Sequence, residues 1–107
     1  MSSVIHTIMR RLENGLLLKR FYSRRKPEKR MFQVKLETRQ LVWMRPTNTS
    51  NRPEGWVDLR EVREIRVGKA SKEFDKWSDE LGGIDTSLCF VLLYGSDFRL
   101  KTVSVAA

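Results

Sequence analysis

Residues 30–45, RMFQVKLETRQLVWMR, decide the fold, because two strand patterns meet in them across a tight link. Residues Arg30 to Glu37 form a first strand pattern, in which apolar and polar residues alternate from Phe32 onward, and a second run rich in strand-forming residues spans Gln40 to Arg45. Alternation with a period of two is typical of a half-buried β-strand. Thr38-Arg39 leaves room only for a turn, so the segment predicts two neighbouring antiparallel strands.

Similar strand patterns extend on both sides of this hairpin. One covers Leu16 to Ser23, before the hairpin. A polar loop at Thr47 to Pro53 follows the hairpin, and Gly55 then opens a stretch that contains Trp56, Val57 and Leu59. The remaining patterns are Val62 to Val67, Leu88 to Tyr94 and Phe98 to Val103. The period breaks around Arg60-Glu61, which indicates a bulge or a turn, and Gly95-Ser96-Asp97 has the composition of a hairpin turn. About seven short antiparallel strands in 107 residues predict a small sandwich or barrel.

A helical pattern precedes the strands. Apolar residues recur at helical spacings at Val4, Ile5, Ile8, Met9 and Leu12, and Asn14-Gly15 ends the pattern. We therefore predict an N-terminal amphipathic helix over residues 1–14 and a domain core over residues 15–107. The alternative is an Arg-rich targeting or membrane-surface segment, which Glu13 and the strand pattern that follows at once disfavour.

A second helix is predicted within the long loop between the fifth and sixth strand patterns. Ser71 is suited to cap a helix, Phe74, Trp77 and Leu81 fall three and four residues apart, and Gly82-Gly83 stops the pattern.

The positive charge is concentrated in the first half of the chain. Residues 1–45 carry 12 Lys and Arg against 3 acids, whereas residues 46–107 carry 9 against 10, and the net charge is +8. A localised positive field indicates an anionic partner, of which nucleic acid and acidic lipid are the obvious kinds.

Catalytic and metal chemistry find little support in the sequence. His6 is the only histidine and Cys89 the only cysteine, so a nucleophile-histidine pair or a Cys/His metal cluster is disfavoured, and no phosphate-cradling glycine motif precedes a helix. We predict no cofactor, no metal and no enzyme activity for this chain by itself. An unpaired cysteine fits a reducing, intracellular setting.

A basic stretch is the strongest functional signal. Residues 19–30 contain seven bases and one acid, Glu28, across the end of one strand pattern and the start of the next. Bases at the mouth of a hairpin can converge on one phosphorylated ligand through charge-assisted hydrogen bonds. A diffuse anionic-membrane patch and a merely solvated loop are the alternatives. Nucleic-acid binding is disfavoured, because only one of Phe21 and Tyr22 would face outward as a stacking surface.

Several motifs resemble the first pleckstrin-homology (PH) domain of gamma-type phosphoinositide phospholipase C. They are Phe21-Tyr22-Ser23, Phe32 to Gln40, Glu64-Ile65-Arg66, Lys69 to Asp75, Cys89-Phe90-Val91, Leu93-Tyr94-Gly95 and Phe98 to Thr102. The resemblance implies a mainly β, PH-like seven-stranded antiparallel sandwich with helices. It also implies that the chain derives from a phosphodiester hydrolase whose catalytic residues lie elsewhere. The fold normally closes one open end with a C-terminal helix, which we expect to be missing because the sequence stops soon after the last strand pattern.

The resemblance also implies a binding site, since related domains grip inositol phosphates with the loop between their first two strands. Matched by position, Lys19 and Arg30 correspond to the usual basic ligands of the fold. The predicted phosphoinositide-binding residues are Lys19, Arg24, Arg25, Lys26, Lys29 and Arg30. Glu28 stands two residues before Arg30, where tight binders usually carry another base, so we expect a reduced affinity.

The function expected from the sequence is docking of an attached phospholipase C to phosphoinositides and anionic membrane in intracellular signalling. The expected location is the cytoplasm, peripheral at the inner face of the plasma membrane. The alternative is a protein-interaction or autoinhibitory module that packs on other domains of the same enzyme. Nucleic acid is not an expected partner.

Overall fold

The computed structural model describes residues 7, 10–47, 52–96 and 99–107. The strands in these residues are β1 (Leu16–Phe21), β2 (Glu28–Lys35), β3 (Gln40–Met44), β4 (Gly55–Asp58), β5 (Val62–Val67), β6 (Cys89–Ser96) and β7 (Arg99–Ala106). They confirm the seven predicted strands. β7 runs further than expected, to Ala106 instead of Val103. Asp97 and Phe98, and residues 48–51 of the polar loop, lie outside the described residues.

The strands form one antiparallel sheet in the order β4-β3-β2-β1-β7-β6-β5. β1 joins the two halves, because Leu16 to Arg20 pair with β2 while Lys19 to Phe21 pair with β7. Inward-facing residues of both halves meet in one apolar cluster, which includes Phe32, Trp43 and Val103. The sheet is therefore bent over itself into a sandwich, one of the two architectures that the strand count predicted.

The break in the pattern near Arg60-Glu61 contains both of the irregularities considered for it. Leu59–Glu61 forms a 3-10 turn, with the side chain of Asp58 accepting a hydrogen bond from the Arg60 amide. The pairing of β5 with β6 then shifts register between Val62 and Glu64.

A second apolar cluster lies on the outer face of β1, β6 and β7, under two short helices. These are α1 (Lys72–Lys76) and α2 (Ser78–Leu81). Ser71 caps α1 as predicted, since its Oγ accepts a hydrogen bond of 3.2 Å from the Phe74 amide. The single helix expected over this segment is divided at Trp77, whose backbone leaves helical geometry while its indole Nε1 donates to the Tyr22 carbonyl at 2.6 Å.

The N-terminal segment reaches the main core through Leu12. Residues 10–13 are helical, and Leu12 is 4% exposed within the first apolar cluster. Gly15 ends the segment with a φ of +89°, a conformation that glycine adopts without strain. Val4, Ile5, Ile8 and Met9 of the predicted helix lie outside the described residues, so the division into residues 1–14 and 15–107 stays a prediction.

Candidate functional site

The six predicted ligand residues divide between two faces of the β1-β2 hairpin. Lys19 lies directly opposite Lys29 on the outer face, whereas Arg30 lies opposite Leu18, a core residue, on the inner face. Arg24, Arg25 and Lys26 are exposed in the connecting loop. The hairpin therefore presents five cations outward or in the loop and separates Arg30 from them.

Arg30 is buried, with only 2% of its surface exposed. Its Nε donates to Glu54 Oε1 at 2.9 Å, and its Nη1 donates to the Lys29 carbonyl at 2.8 Å. Nη1 also lies 3.1 Å from Glu28 Oε2. Burial alone would lower the pKa of Arg30, but the hydrogen bonds to Glu54 and Glu28 outweigh it and raise the pKa. A guanidinium held in this way is in the interior of the hairpin mouth and is not presented to solvent.

Glu54 is the common anion for three arginines. Besides Arg30, its carboxylate lies 3.5 Å from Arg45 Nε and 3.9 Å from Arg25 Nη2. The Glu54 amide donates to the Trp43 carbonyl at 2.8 Å, which fixes the residue just before β4. Burial alone would raise the pKa of Glu54, but the hydrogen bond and charge of Arg30, together with the charge of Arg25, hold the pKa below its usual value.

This lowered pKa predicts an acid-sensitive contribution to stability. Because the folded state binds the Glu54 proton less tightly than the unfolded state, the stabilisation is complete above a pH of about 4.5, the ordinary pKa. It is lost as the pH falls through the lower folded pKa. We expect the free energy of unfolding in urea to fall more steeply below that pH for the wild type than for Glu54→Gln. Equal slopes in the two proteins would contradict the prediction.

Arg20 forms an aromatic cluster beside this ion-pair group. Its guanidinium lies 4.7 Å from the ring centres of both Tyr22 and Trp43, and that of Arg25 lies 4.1 Å from Tyr22. Burial lowers the pKa of Arg20. Arginine stacked on aromatic faces is held by cation–π attraction, so Arg20 contributes to the structure of the hairpin mouth more than to its exposed charge.

Among the cavities that border the hairpin, two differ clearly in chemistry. One, of about 310 Å³, lies between the Arg24-Arg25 loop and Glu73, a buried carboxylate that accepts hydrogen bonds from Thr102 and Ser104. The other, of about 160 Å³, is lined by apolar side chains of the sandwich interior. The first places an acid beside the bases and the second offers an anion no donor, so neither is suited to a phosphate.

The described residues that bear on catalysis, metal binding and membrane insertion can be placed as follows. Within the described ranges no cluster of three His, Cys, Asp or Glu is placed to hold a metal. Cys89 is buried, and burial raises the pKa of its thiol. No helix in the part of the chain that the structure describes is long and apolar enough to cross a bilayer. His6 lies outside the described residues.

Glu54 and Arg45 are the site residues that sequence reasoning missed. Arg30 and Glu54 are 24 positions apart and meet only because β2, β3 and β4 are neighbours in the sheet. No local motif marks such a pair, although the concentration of bases in one hairpin does signal the need for a counter-ion.

Comparison with known proteins gives relatives for almost the whole chain. No protein-family profile matches. The chain is 42% identical over 101 residues to human 1-phosphatidylinositol 4,5-bisphosphate phosphodiesterase gamma-2, and 39% identical over 100 residues to the rat protein of the same name. These matches cover 94% and 92% of this chain, which spans about 8% of the length of each relative.

A solved structure shares the fold. The crystal structure of S. officinalis PLC21 superposes on 90% of this chain with a TM-score of 0.66 and 18% identity, and this chain covers 13% of that protein. The resemblance to a segment of gamma-type phospholipase C, drawn from the sequence motifs, is thus confirmed.

Proposed function

We propose that this chain, similar to a segment of gamma-type phospholipase C, is a non-catalytic module that docks the protein containing it on anionic membrane at the cytoplasmic face. The observation that supports the proposal is the set of cations that the β1-β2 hairpin presents outward or in its loop: Lys19, Arg24, Arg25, Lys26 and Lys29. Each base near an acidic leaflet contributes about 1 kcal/mol. Together they are sufficient for reversible attachment that depends on salt.

The binding is proposed to be largely non-selective among anionic lipids. Selectivity for one headgroup needs several donors converging in a fixed geometry. Arg30, the most buried base of the hairpin, already donates to Glu54, and the remaining cations are spread over a loop and an outer strand face. Phosphoinositides would bind more tightly than phosphatidylserine mainly through their greater charge.

The relatives support a role at a lipid surface. The human and rat proteins are named as phosphodiesterases of phosphatidylinositol 4,5-bisphosphate, a membrane lipid. A protein that acts on such a substrate works at the bilayer, and a basic module would lengthen its residence there.

Vesicle sedimentation tests the proposal. The triple variant Arg24→Ala/Arg25→Ala/Lys26→Ala is expected to bind phosphatidylserine vesicles about a hundredfold more weakly than the wild type, because about 3 kcal/mol of attraction is removed. The matched control is Arg60→Ala/Arg63→Ala/Arg66→Ala, which removes equal charge from exposed positions at and before β5, an edge strand far from β1 in the sheet order. Equal losses in both variants, or none in either, would overturn the proposed role of the hairpin.

A second candidate function is an interface with other domains of the same enzyme. An apolar band on the outer sheet face favours it: Leu17, Met31 and Met44 lie opposite one another on adjacent strands, and Trp56 on β4 is 56% exposed. If this surface serves an interface, Trp56→Ala would weaken binding of the remaining phospholipase domains at high salt and leave vesicle binding unchanged.

A further inference from the structure

We propose that Glu54 is a built-in competitor of phosphate: its carboxylate occupies the guanidinium cluster of Arg25, Arg30 and Arg45, and a phosphate monoester engages that cluster only when the carboxylate withdraws. The inference rests on the proposed function, to which it adds what limits the affinity and selectivity of the hairpin. The ligand chemistry is a phosphomonoester, either on a lipid headgroup or on a soluble inositol phosphate.

The geometry around Glu54 is that of an occupied anion site. One carboxylate oxygen is 2.9 Å from Arg30 Nε and 3.9 Å from Arg25 Nη2, and the other is 3.5 Å from Arg45 Nε. The three guanidinium groups come from β2, the β1-β2 loop and the residue after β3, so they converge from separate segments of the chain. Convergence of this kind is what a phosphate requires.

The cluster also has one buried donor that the carboxylate leaves unused. Arg30 Nη2 is buried and has no hydrogen-bond partner among the described residues. A carboxylate brings two oxygens, whereas a terminal phosphate brings three and carries more charge. A phosphate in the place of Glu54 would therefore satisfy a donor that the present arrangement leaves unpaired, while Glu28 remains beside Arg30 Nη1 at 3.1 Å.

The competitor is placed where it could withdraw without unfolding the sheet. The Glu54 side chain is 28% exposed, so part of it already faces water. Its backbone precedes β4, and its own amide bond to Trp43 does not involve the side chain. Rotation of the side chain into solvent would open the cluster and leave β3 and β4 paired.

The test compares Glu54→Gln with Glu64→Gln, which removes the same charge from an exposed pair with Arg66 on β5. Glu54→Gln keeps an oxygen that can accept from Arg30, so the fold is expected to persist, and thermal unfolding checks this. Glu54→Asp retains the charge but shortens the side chain, which draws the carboxylate away from Arg30. Each protein is titrated with soluble inositol 1,4,5-trisphosphate and with vesicles containing phosphatidylinositol 4,5-bisphosphate or charge-matched phosphatidylserine.

We expect Glu54→Gln to bind inositol trisphosphate and bisphosphate vesicles about tenfold more tightly than the wild type, the effect of about one additional charge-assisted hydrogen bond. Glu54→Asp should gain in the same direction by a smaller factor, and Glu64→Gln should change little. On phosphatidylserine vesicles Glu54→Gln should gain no more than Glu64→Gln. If Glu54→Gln gains affinity for vesicles but not for the soluble ligand, a gain that is specific to bisphosphate vesicles would support the competitor. An equal gain on phosphatidylserine vesicles would contradict it.

Equal behaviour of Glu54→Gln and Glu64→Gln in all titrations would overturn the inference, since charge alone would then explain the change. That result leaves the proposed function standing if the wild type still binds acidic vesicles through Arg24, Arg25 and Lys26. Absence of vesicle binding by the wild type, with a gain of soluble-ligand binding in Glu54→Gln, would refute the proposed function and support the competitor.

Discussion

Replacement of Arg30 by alanine is expected to lower the free energy of unfolding by about 4 kcal/mol. The guanidinium is 2% exposed and forms hydrogen bonds with Glu54 and the Lys29 carbonyl, beside the carboxylate of Glu28. Truncation removes buried packing and leaves the carboxylates of Glu54 and Glu28 without the cation that they share. Urea unfolding followed by circular dichroism measures the loss.

Lys26→Ala is the control for Arg30→Ala, because it removes the same charge from an exposed loop position. We expect it to change stability by less than about 0.5 kcal/mol. The double variant Arg30→Met/Glu54→Gln should recover part of the loss, since a neutral side chain then replaces an uncompensated charge. A loss below about 1 kcal/mol for Arg30→Ala would show that Arg30 is not the structural cation described here.

Alanine at Phe74 is expected to have an effect of similar size, about 4 kcal/mol. Phe74 is 1% exposed, and its ring centre lies 5.1 Å from that of Phe21 in the second apolar cluster. The change would leave a cavity between α1 and the outer face of β1, and the helix is too short to be stable without this contact. Thermal and urea unfolding of the variant would measure the loss.

Leu88→Ala provides the comparison for Phe74→Ala, because Leu88 is 46% exposed. A destabilisation smaller than about 1 kcal/mol is expected there. If Phe74→Ala were equally mild, the α1-α2 segment would not be anchored to the sheet by its aromatic side chain.

The strands were predictable because their hydrophobic pattern is local. Phe32 and Val34 alternate with polar neighbours, and the pairing Phe32↔Trp43 follows from the short Thr38-Arg39 turn. The C-terminal end of β7 was not predictable, because the polar residue Ser104 interrupts the apolar residues of the strand. Its buried hydroxyl is satisfied by Glu73 at 3.0 Å, a partner 31 residues away that no pattern near Ser104 announces.

The candidate site was predictable in composition but not in geometry. The number of bases in residues 19–30 located the hairpin. The face of the sheet on which each base lies was not predicted, and it separates Arg30, on the inner face, from Lys19 and Lys29, on the outer face. The face on which a residue lies depends on the strand register, and the sequence does not fix that register when the length of the connecting loop is unknown. The division at Trp77 has the same origin, because its bond to the Tyr22 carbonyl joins segments 55 residues apart.

The seam between β1 and β7 also orders events during synthesis. Lys19 pairs with Ala106 and Phe21 with Ser104, so two strands that are far apart in the sequence must meet before the sheet is complete. The β2-β3 hairpin can form while the chain is still emerging from the ribosome, but this seam must wait for residues 104–106. Pairing across such a separation is slow, and apolar inner faces stay open meanwhile. The nascent chain is therefore most exposed to aggregation in the interval between the synthesis of β1 and the release of β7.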